Sequence, residues 1–388
     1  MLNGNVRLSG SSRDLRIDFL RGLAMACVIV NHSKMSSLLS WVSYERFWIV
    51  TGAEVFVVLS GVVLGMVYGR RLNSRGWRPV IAGLGRRALL LYGTFVGVTL
   101  SVVLLSACGV EVGALARGSD RLVGWVLDPH MDAAAWRDLL LMRSGPWAFE
   151  IVALYVWLVV AAVPCLFGLR FVGWRPVLAA SWILYLRYRM VPFPLTGAEF
   201  EKVFPILAWQ LLFVHGIAIG YHRDRIAAWM NQRRAPVAAY AGLSIAFLAF
   251  ALCNPWLDGP SWLHARIVSP DRFADLYERY FGLSELGIGR LVNLAVALPT
   301  GYALLGWCWN LLRPVQTLIV TLGRRSLGAF VLHVYGLLVL VHIPHADSLV
   351  VNTTIQVLTI VAIAVLLARI QRKPVIRTAI PPREALAA

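Results

Sequence analysis

Seven ionisable side chains lie inside or at the ends of long apolar stretches: Asp18, Arg21, His32, Glu54, Glu150, His215 and His333. A charged group inside hydrocarbon costs several kcal/mol, so each of these residues is a functional candidate by default. Arg21 and His32 stand eleven residues apart. On a helix that separation is three turns plus about 20°, so the two side chains share a face and sit roughly 16 Å apart along the axis. Asp18 precedes Arg21 by three residues and is placed to pair with it. One stripe thus carries Asp18 and Arg21 near one end and His32 toward the other, an arrangement that suits a channel along the helix. Imidazole exchanges a proton near neutral pH, which makes His32 the candidate general base. Glu54 and Glu150 open two further apolar stretches at about the depth of His32. Three helices then bring titratable groups to one level, as acid–base chemistry requires.

Each of these residues also has a plainer reading. Asp18 and Arg21 fit an interfacial ion pair that snorkels to the headgroups. His32, His215 and His333 fit neutral histidines bonded to neighbouring helices, with Gln210 near His215 on the same stretch. Glu54 and Glu150 fit helix N-termini, where an acid is favourable in any case.

The elements that would position these residues are transmembrane helices. Apolar stretches recur near residues 17–38, 47–69, 88–108, 147–168, 176–193, 204–221, 237–253, 288–309, 326–343 and 350–368. Each is close to the roughly 20 residues needed to cross a bilayer core. The fifth is the weakest, because Arg187, Arg189, Pro192 and Pro194 interrupt its end. With ten spans the segments carrying Arg70, Arg71, Arg75, Arg78, Arg86 and Arg87, then Arg223, Arg225, Arg233 and Arg234, then Arg313, Arg324 and Arg325, fall on one side together with both termini. The tail from 369 onward is basic, and the first 16 residues are a short polar tail. Two long, charge-balanced segments, around 108–146 and 254–287, fall on the other side. Basic segments stay in the cytoplasm, so both termini are expected inside. The expectation is an all-α, polytopic bundle of about ten spans forming one integral-membrane domain over 1–388.

Composition agrees. Of 388 residues 59% are hydrophobic and 15% charged, and the mean hydropathy is +0.68. A soluble domain has roughly 45–50% apolar and about 25% charged residues. The net charge of +17 would raise nucleic-acid binding in a soluble chain, but here it follows topology, so no nucleic-acid partner is expected. No cleavable signal peptide is expected either, because the first apolar stretch runs past the usual length. Cys27, Cys108, Cys165, Cys253 and Cys308 lie in or beside apolar stretches without ligand spacing, and read as small buried hydrophobes rather than disulfides or metal ligands. Arginine-heavy usage, with three lysines in the chain, points to a GC-rich bacterial genome and so to a bacterial inner membrane.

Several blocks resemble the OpgC family, membrane proteins implicated in succinylating osmoregulated periplasmic glucans. The run from Arg13 through Asp18, Arg21 and Leu23 is similar to that family's first helix, and Ala53 to Gly61 with Val67 to Arg70 to its second. Glu150 to Tyr155, Pro205 to Val214 (containing Trp209 and Gln210), and Leu322 to Leu327 followed by His333 resemble later blocks. The spacing of Arg21 and His32, with Phe56 to Gly61 in the next helix, also resembles the wider acyltransferase-3 group.

The resemblance implies acyl transfer from cytoplasmic acyl-CoA, succinyl-CoA in the family's pattern, to a hydroxyl of a glycan outside the membrane. His32 would then be the base. Arg21, with Asp18, would position the donor or line its path, and Glu54 and Glu150 would orient the histidine or bind the acceptor. Arg70, Arg71, Arg86, Arg87, Arg324 and Arg325 are available to the CoA phosphates, although ordinary membrane topology accounts for them equally. Tyr155, Trp209, Gln210 and His333 are substrate-side candidates. No metal is required, and membrane lipid and a glycan are the expected partners. The rival reading is a transporter or flippase of a glycan or lipid-linked substrate without covalent chemistry, whose pathway would use Pro192, Pro194, Pro205 and Pro299.

Overall fold

The computed structural model describes residues 14–43, 45–232, 236–257, 259–343 and 348–370. Arg7, Arg13, Arg233, Arg234 and the basic tail after residue 370 therefore lie outside the described residues. Twelve helices carry the argument. They are α1 (Leu15–Ser33), α2 (Gly52–Arg75), α3 (Arg78–Ala107), α4 (Glu150–Phe171), α5 (Trp174–Met190), α6 (Ile206–Tyr221), α7 (Pro236–Ala251), α8 (Pro270–Tyr280), α9 (Ile288–Cys308), α10 (Arg313–Arg324), α11 (Ser326–Val341) and α12 (Leu349–Ile370). Among the described residues there is no strand.

Each of the ten apolar stretches falls on a helix: α1 to α7, α9, α11 and α12. Five helical segments are long and apolar enough to cross a membrane: α2, α3, α4 with the turn before it, α9 and α12. A sixth results if α10 and α11, bent by 95° at their junction, count as one broken span. The chain is thus a helical membrane protein, and among the described residues five or six of the ten expected crossings have the length and composition of a span. The shortfall has local causes. α6, α7 and α11 have 16 residues each, about 24 Å of helix against a core of roughly 30 Å. α1 contains Asp18 and Arg21, and α5 stops at Met190, just before Pro192 and Pro194.

Two further differences come from segments read as loops. Residues 313–324 form α10, an amphipathic helix that follows Leu312 with proline in its first turn. The long segment after α3 folds into short helices at Gly113–Ala116, Asp120–Leu127 and Ala133–Leu140. Ser119 and Asp132 cap the second and third of these by accepting from Leu122 and Ala135 N–H. Cys108 is exposed, so the buried reading holds for Cys165 and Cys253 but not for it.

α2 and α6 pack through glycines spaced four apart, Gly61 and Gly65 against Gly216 and Gly220. A methyl group at Gly65 would lie 2.2 Å from the Ile217 carbonyl oxygen, and one at Gly220 would lie 2.0 Å from that of Val62. Small residues at that spacing let helix backbones meet, which supplies packing where the hydrophobic effect between lipid-facing helices is weak. One buried apolar cluster extends from Phe19 to Leu367 and takes in most of these helices.

Candidate active site

α1 begins where Asp14 caps the helix by accepting from Arg16 N–H at 3.0 Å, while its other carboxylate oxygen accepts from the Tyr302 hydroxyl. α1 then passes α10 at a separation that only glycine permits. A methyl group at Gly22 would lie 1.8 Å from the Ile319 carbonyl oxygen, and one at Gly323 would lie 1.8 Å from that of Asp18. This grip brings the start of α11 beside Arg21, whose Nη2 donates to Ser326 Oγ at 2.8 Å. The Arg21 guanidinium also covers the Phe56 ring of α2 at 5.1 Å. Asp18 and Arg21 are both buried.

Farther along both helices the side chains meet a second time. His32 Nδ1 lies 3.1 Å from His333 Nε2. His333 is buried at 1% exposure, whereas His32 borders a cavity of about 220 Å³ lined also by Lys34, Arg117, Trp147 and Leu337. The Trp147 ring lies against His32 with centroids 4.6 Å apart. His32 Nε2 has no hydrogen-bond partner among the described residues. Asn31, next to it in sequence, accepts instead from Ser43 Oγ at 2.6 Å. Orientation of the His32 ring therefore falls to His333 and Trp147.

The tautomer that suits base chemistry follows from this geometry. For His32 Nε2 to accept a proton from the cavity side, the neutral ring must hold its hydrogen on Nδ1. Nδ1–H then donates to His333 Nε2, and the same bond persists in the imidazolium formed afterwards.

The expected channel between Arg21 and His32 is replaced by packed aromatic rings. Phe56 meets Phe330 edge-on at 5.2 Å, and Phe330 meets His333 edge-on at 6.5 Å. Both phenylalanines are buried. Tyr155 belongs to the same patch, edge-on to Phe56 at 5.5 Å. It thus stands near Arg21 rather than on the cavity.

The two glutamates are placed elsewhere. Glu54 Oε2 accepts from Thr51 N–H at 2.7 Å, closing a capping box at the start of α2. The same oxygen accepts from Arg290 Nη1 at 2.9 Å. Arg290, on α9, is fully buried and also binds Glu45 Oε1 at 2.6 Å and the Phe281 carbonyl at 2.8 Å. Glu54 is therefore one arm of a buried ion cluster centred on Arg290 that ties α2 to α9, and no hydrogen bond or ion pair joins it to His32 among the described residues. Glu150 is buried at the start of α4, with Glu199 and Lys202 as its charged neighbours. Glu199 in turn accepts from Ser119 Oγ at 2.5 Å.

The remaining candidates divide in the same way. The Trp209 indole N–H donates to the Ser284 carbonyl at 3.2 Å. Gln210 donates to the Ser181 carbonyl at 2.9 Å and accepts from Ser181 Oγ at 2.7 Å, joining α6 to α5. His215 accepts from the Trp182 indole N–H at 3.2 Å, a core contact. α2 runs antiparallel to α1, since Gly52 abuts Ala24 and Phe56 abuts Arg21. Arg70 and Arg71 at its far end thus lie on the Asp18 side, and Arg86 and Arg87 follow on α3. Arg324 and Arg325 flank the bend between α10 and α11, where Arg325 donates to the Leu367 carbonyl. None of these six arginines forms an ion pair with a carboxylate among the described residues, so all six charges are available to an anion.

The sequence pattern did not single out Ser326, Trp147, Arg117 or Arg290. Arg290 carried a usable signal, an ionisable residue just inside an apolar stretch. Ser326 lies within the Leu322 to Leu327 block without a role assigned to it, and Trp147 and Arg117 sit at segment ends that look unremarkable in sequence.

A family model described as OpgC protein matches residues 13–374. No curated protein and no solved structure matches the chain.

Proposed function

The chain belongs to the OpgC family, and from that premise we propose that it is a membrane O-acyltransferase. In this reading it moves an acyl group, succinyl in the family's pattern, from cytoplasmic acyl-CoA to a hydroxyl of a glycan outside a bacterial inner membrane. The observation that carries the proposal is the His32–His333 pair at the edge of a cavity, with His32 Nε2 unpartnered.

The chemistry runs as follows. The acceptor hydroxyl binds at His32 Nε2 and gives up its proton there as its oxygen attacks the thioester carbon. The C–S bond breaks, the ester forms, and the imidazolium returns the proton to the departing thiolate. Burial of His333 beneath His32 holds the ring in place through the step, and fixed orientation of this kind contributes to rate. A positioned base typically contributes about 10²–10⁴-fold. Arg21 stands between the basic end of the bundle and the histidines, where it can meet the donor. The six arginines offer cations for the CoA phosphates. For the thioester to reach His32, the buried rings of Phe56 and Phe330 must give way.

The test is transfer of labelled acyl groups in proteoliposomes supplied with acyl-CoA, comparing wild type with His32→Ala. Loss of at least a hundredfold in kcat is expected for the variant. Full transfer by His32→Ala would overturn the mechanism. Movement of a glycan across the bilayer without a covalent acyl product would establish the transporter reading instead.

A further inference from the structure

The cavity beside His32 carries one sign of charge. Lys34 and Arg117 line it, and no acid does. Neither cation has a carboxylate partner among the described residues. Other arginines of the same segment are ion-paired: Arg121, Arg137 and Arg143 converge on Asp138, at 3.3, 3.4 and 3.1 Å, and Arg121 also approaches Glu199. Lys34 ends α1 in a left-handed conformation, φ +54°, that side chains other than glycine adopt infrequently and that tends to persist where surrounding structure or function requires it. From there its ammonium lies over the Trp147 ring at 5.5 Å, on the same indole that contacts His32.

Apart from His32 and Ser33 the rest of the lining is apolar, with Leu115, Leu337, Leu340 and Val341 prominent. At about 220 Å³ the cavity is smaller than the roughly 300–1,000 Å³ of sites that enclose whole small-molecule ligands. It suits one substituent of a larger molecule. A wall of leucines accepts a short methylene chain or a sugar face. An ammonium and a guanidinium without counter-charge accept an anion, the guanidinium through its planar fork. Cations that no protein carboxylate satisfies also discriminate, because a neutral substituent leaves them unpaired.

We infer that this cavity recognises an anionic group, a carboxylate or phosphate, carried by the substrate that reacts at His32, and that Lys34 and Arg117 are its specificity-determining residues. The inference rests on the acyl-transfer reading and adds to it the charge of what is bound. Two sources supply the same chemistry: the free end of a dicarboxylic acyl group, or an acidic substituent of the acceptor glycan.

The experiment uses the full chain in proteoliposomes. Succinyl-CoA is compared with butyryl-CoA, which has the same chain length and no terminal charge. A neutral glucan is compared with the same glucan bearing phosphoryl substituents. Each pairing is run with wild type, Lys34→Asn and Arg117→Gln. Asparagine is chosen because it tolerates the left-handed backbone at position 34. The expected result is a fall of at least tenfold in the charged-to-neutral ratio of kcat/KM for each variant, with Lys34→Arg retaining most of it. A fall confined to the donor comparison assigns the anion to the acyl group; one confined to the acceptor comparison assigns it to the glycan. Ratios within twofold of wild type on both comparisons, or an equal loss for all four pairings, overturn the inference.

Should wild type transfer no acyl group from either donor, the acyl-transfer reading fails, and the cavity is judged by binding alone. Succinate and inorganic phosphate are then titrated against the detergent-solubilised chain while its melting temperature is followed. Stabilisation of wild type but not of the Lys34→Asn/Arg117→Gln double variant keeps the anion site. Equal behaviour of the two overturns it.

Discussion

His32 and His333 are 301 positions apart in the chain, and their ring nitrogens meet at 3.1 Å. If His32 is the base, as proposed, this contact makes His333 its positioning partner. His333→Ala is expected to lower kcat about 10–100-fold, less than His32→Ala, because an unoriented imidazole remains a base. KM for the donor should change little. Single-turnover measurements of acyl transfer check this; a kcat equal to that of wild type would remove His333 from the mechanism.

Arg21 is held by Ser326 Oγ at 2.8 Å and by the Phe56 ring. A hydrogen bond to a charged group is worth about 1.5–3 kcal/mol, roughly a factor of 10–100 in binding. Arg21→Gln should raise KM for acyl-CoA within that range and affect kcat less. Ser326→Ala should produce a smaller shift in the same direction. Titration of the donor in steady-state assays decides the matter, and an unchanged KM for Arg21→Gln would leave Arg21 with a purely structural role.

The cluster of Arg290 with Glu45 and Glu54 is fully buried. Removing one member leaves the others as uncompensated charges, a cost of about 3–5 kcal/mol. Arg290→Met should therefore lower the melting temperature of the detergent-solubilised protein sharply. Glu54→Gln should lower it as well, while the folded fraction keeps a kcat near wild type. A Glu54→Gln variant that melts normally and transfers nothing would return Glu54 to the catalytic list.

At Asp14 burial acts to raise the carboxyl pKa. Hydrogen bonds from Arg16 and Tyr302, with the Arg16 charge, outweigh it, and the value lies below the ordinary 3.8. A carboxylate depressed on folding stabilises the protein above its unfolded pKa, and that contribution disappears as pH falls through the folded value. Thermal melts of wild type and Asp14→Asn should differ at neutral pH and converge in acid below pH 3.8. Curves that stay parallel through that range would show that Asp14 adds nothing to stability through its charge.

Sequence periodicity was enough to place Arg21 and His32 on one stripe of α1, because helix geometry converts spacing directly into direction. The plainer reading of Glu54, an acid at a helix N-terminus, agrees with the capping box that it forms with Thr51 at the start of α2, although the apolar stretch is drawn from residue 47. Periodicity could not pair His32 with His333, since nothing local encodes a contact between distant helices. The same limit hid the partner of Glu54: Arg290 lies on another helix, and depth in the membrane alone suggested His32. α10 escaped because its amphipathic pattern, with Arg313 and Arg324 at its ends, reads as a basic loop when only apolar stretches are sought. Ten apolar stretches could be found in sequence but not their helical lengths, and helices such as α6, at 16 residues, are apolar enough but short. The cavity was invisible because Trp147, Arg117 and Lys34 come from three segment ends that only folding brings together.

The sharp elbow at Arg325 couples two fittings that are separate in space. α10 is seated on α1 by Gly22 and Gly323, and α11, which follows it after the bend, presents Ser326 to Arg21 and His333 to His32. In the acyl-transfer reading, donor handling at Arg21 and proton handling at His32 would both be registered by this single alignment of α1. A slip of one helical turn along that glycine seat would part Ser326 from Arg21 and His333 from His32 together, so one displacement would undo both contacts.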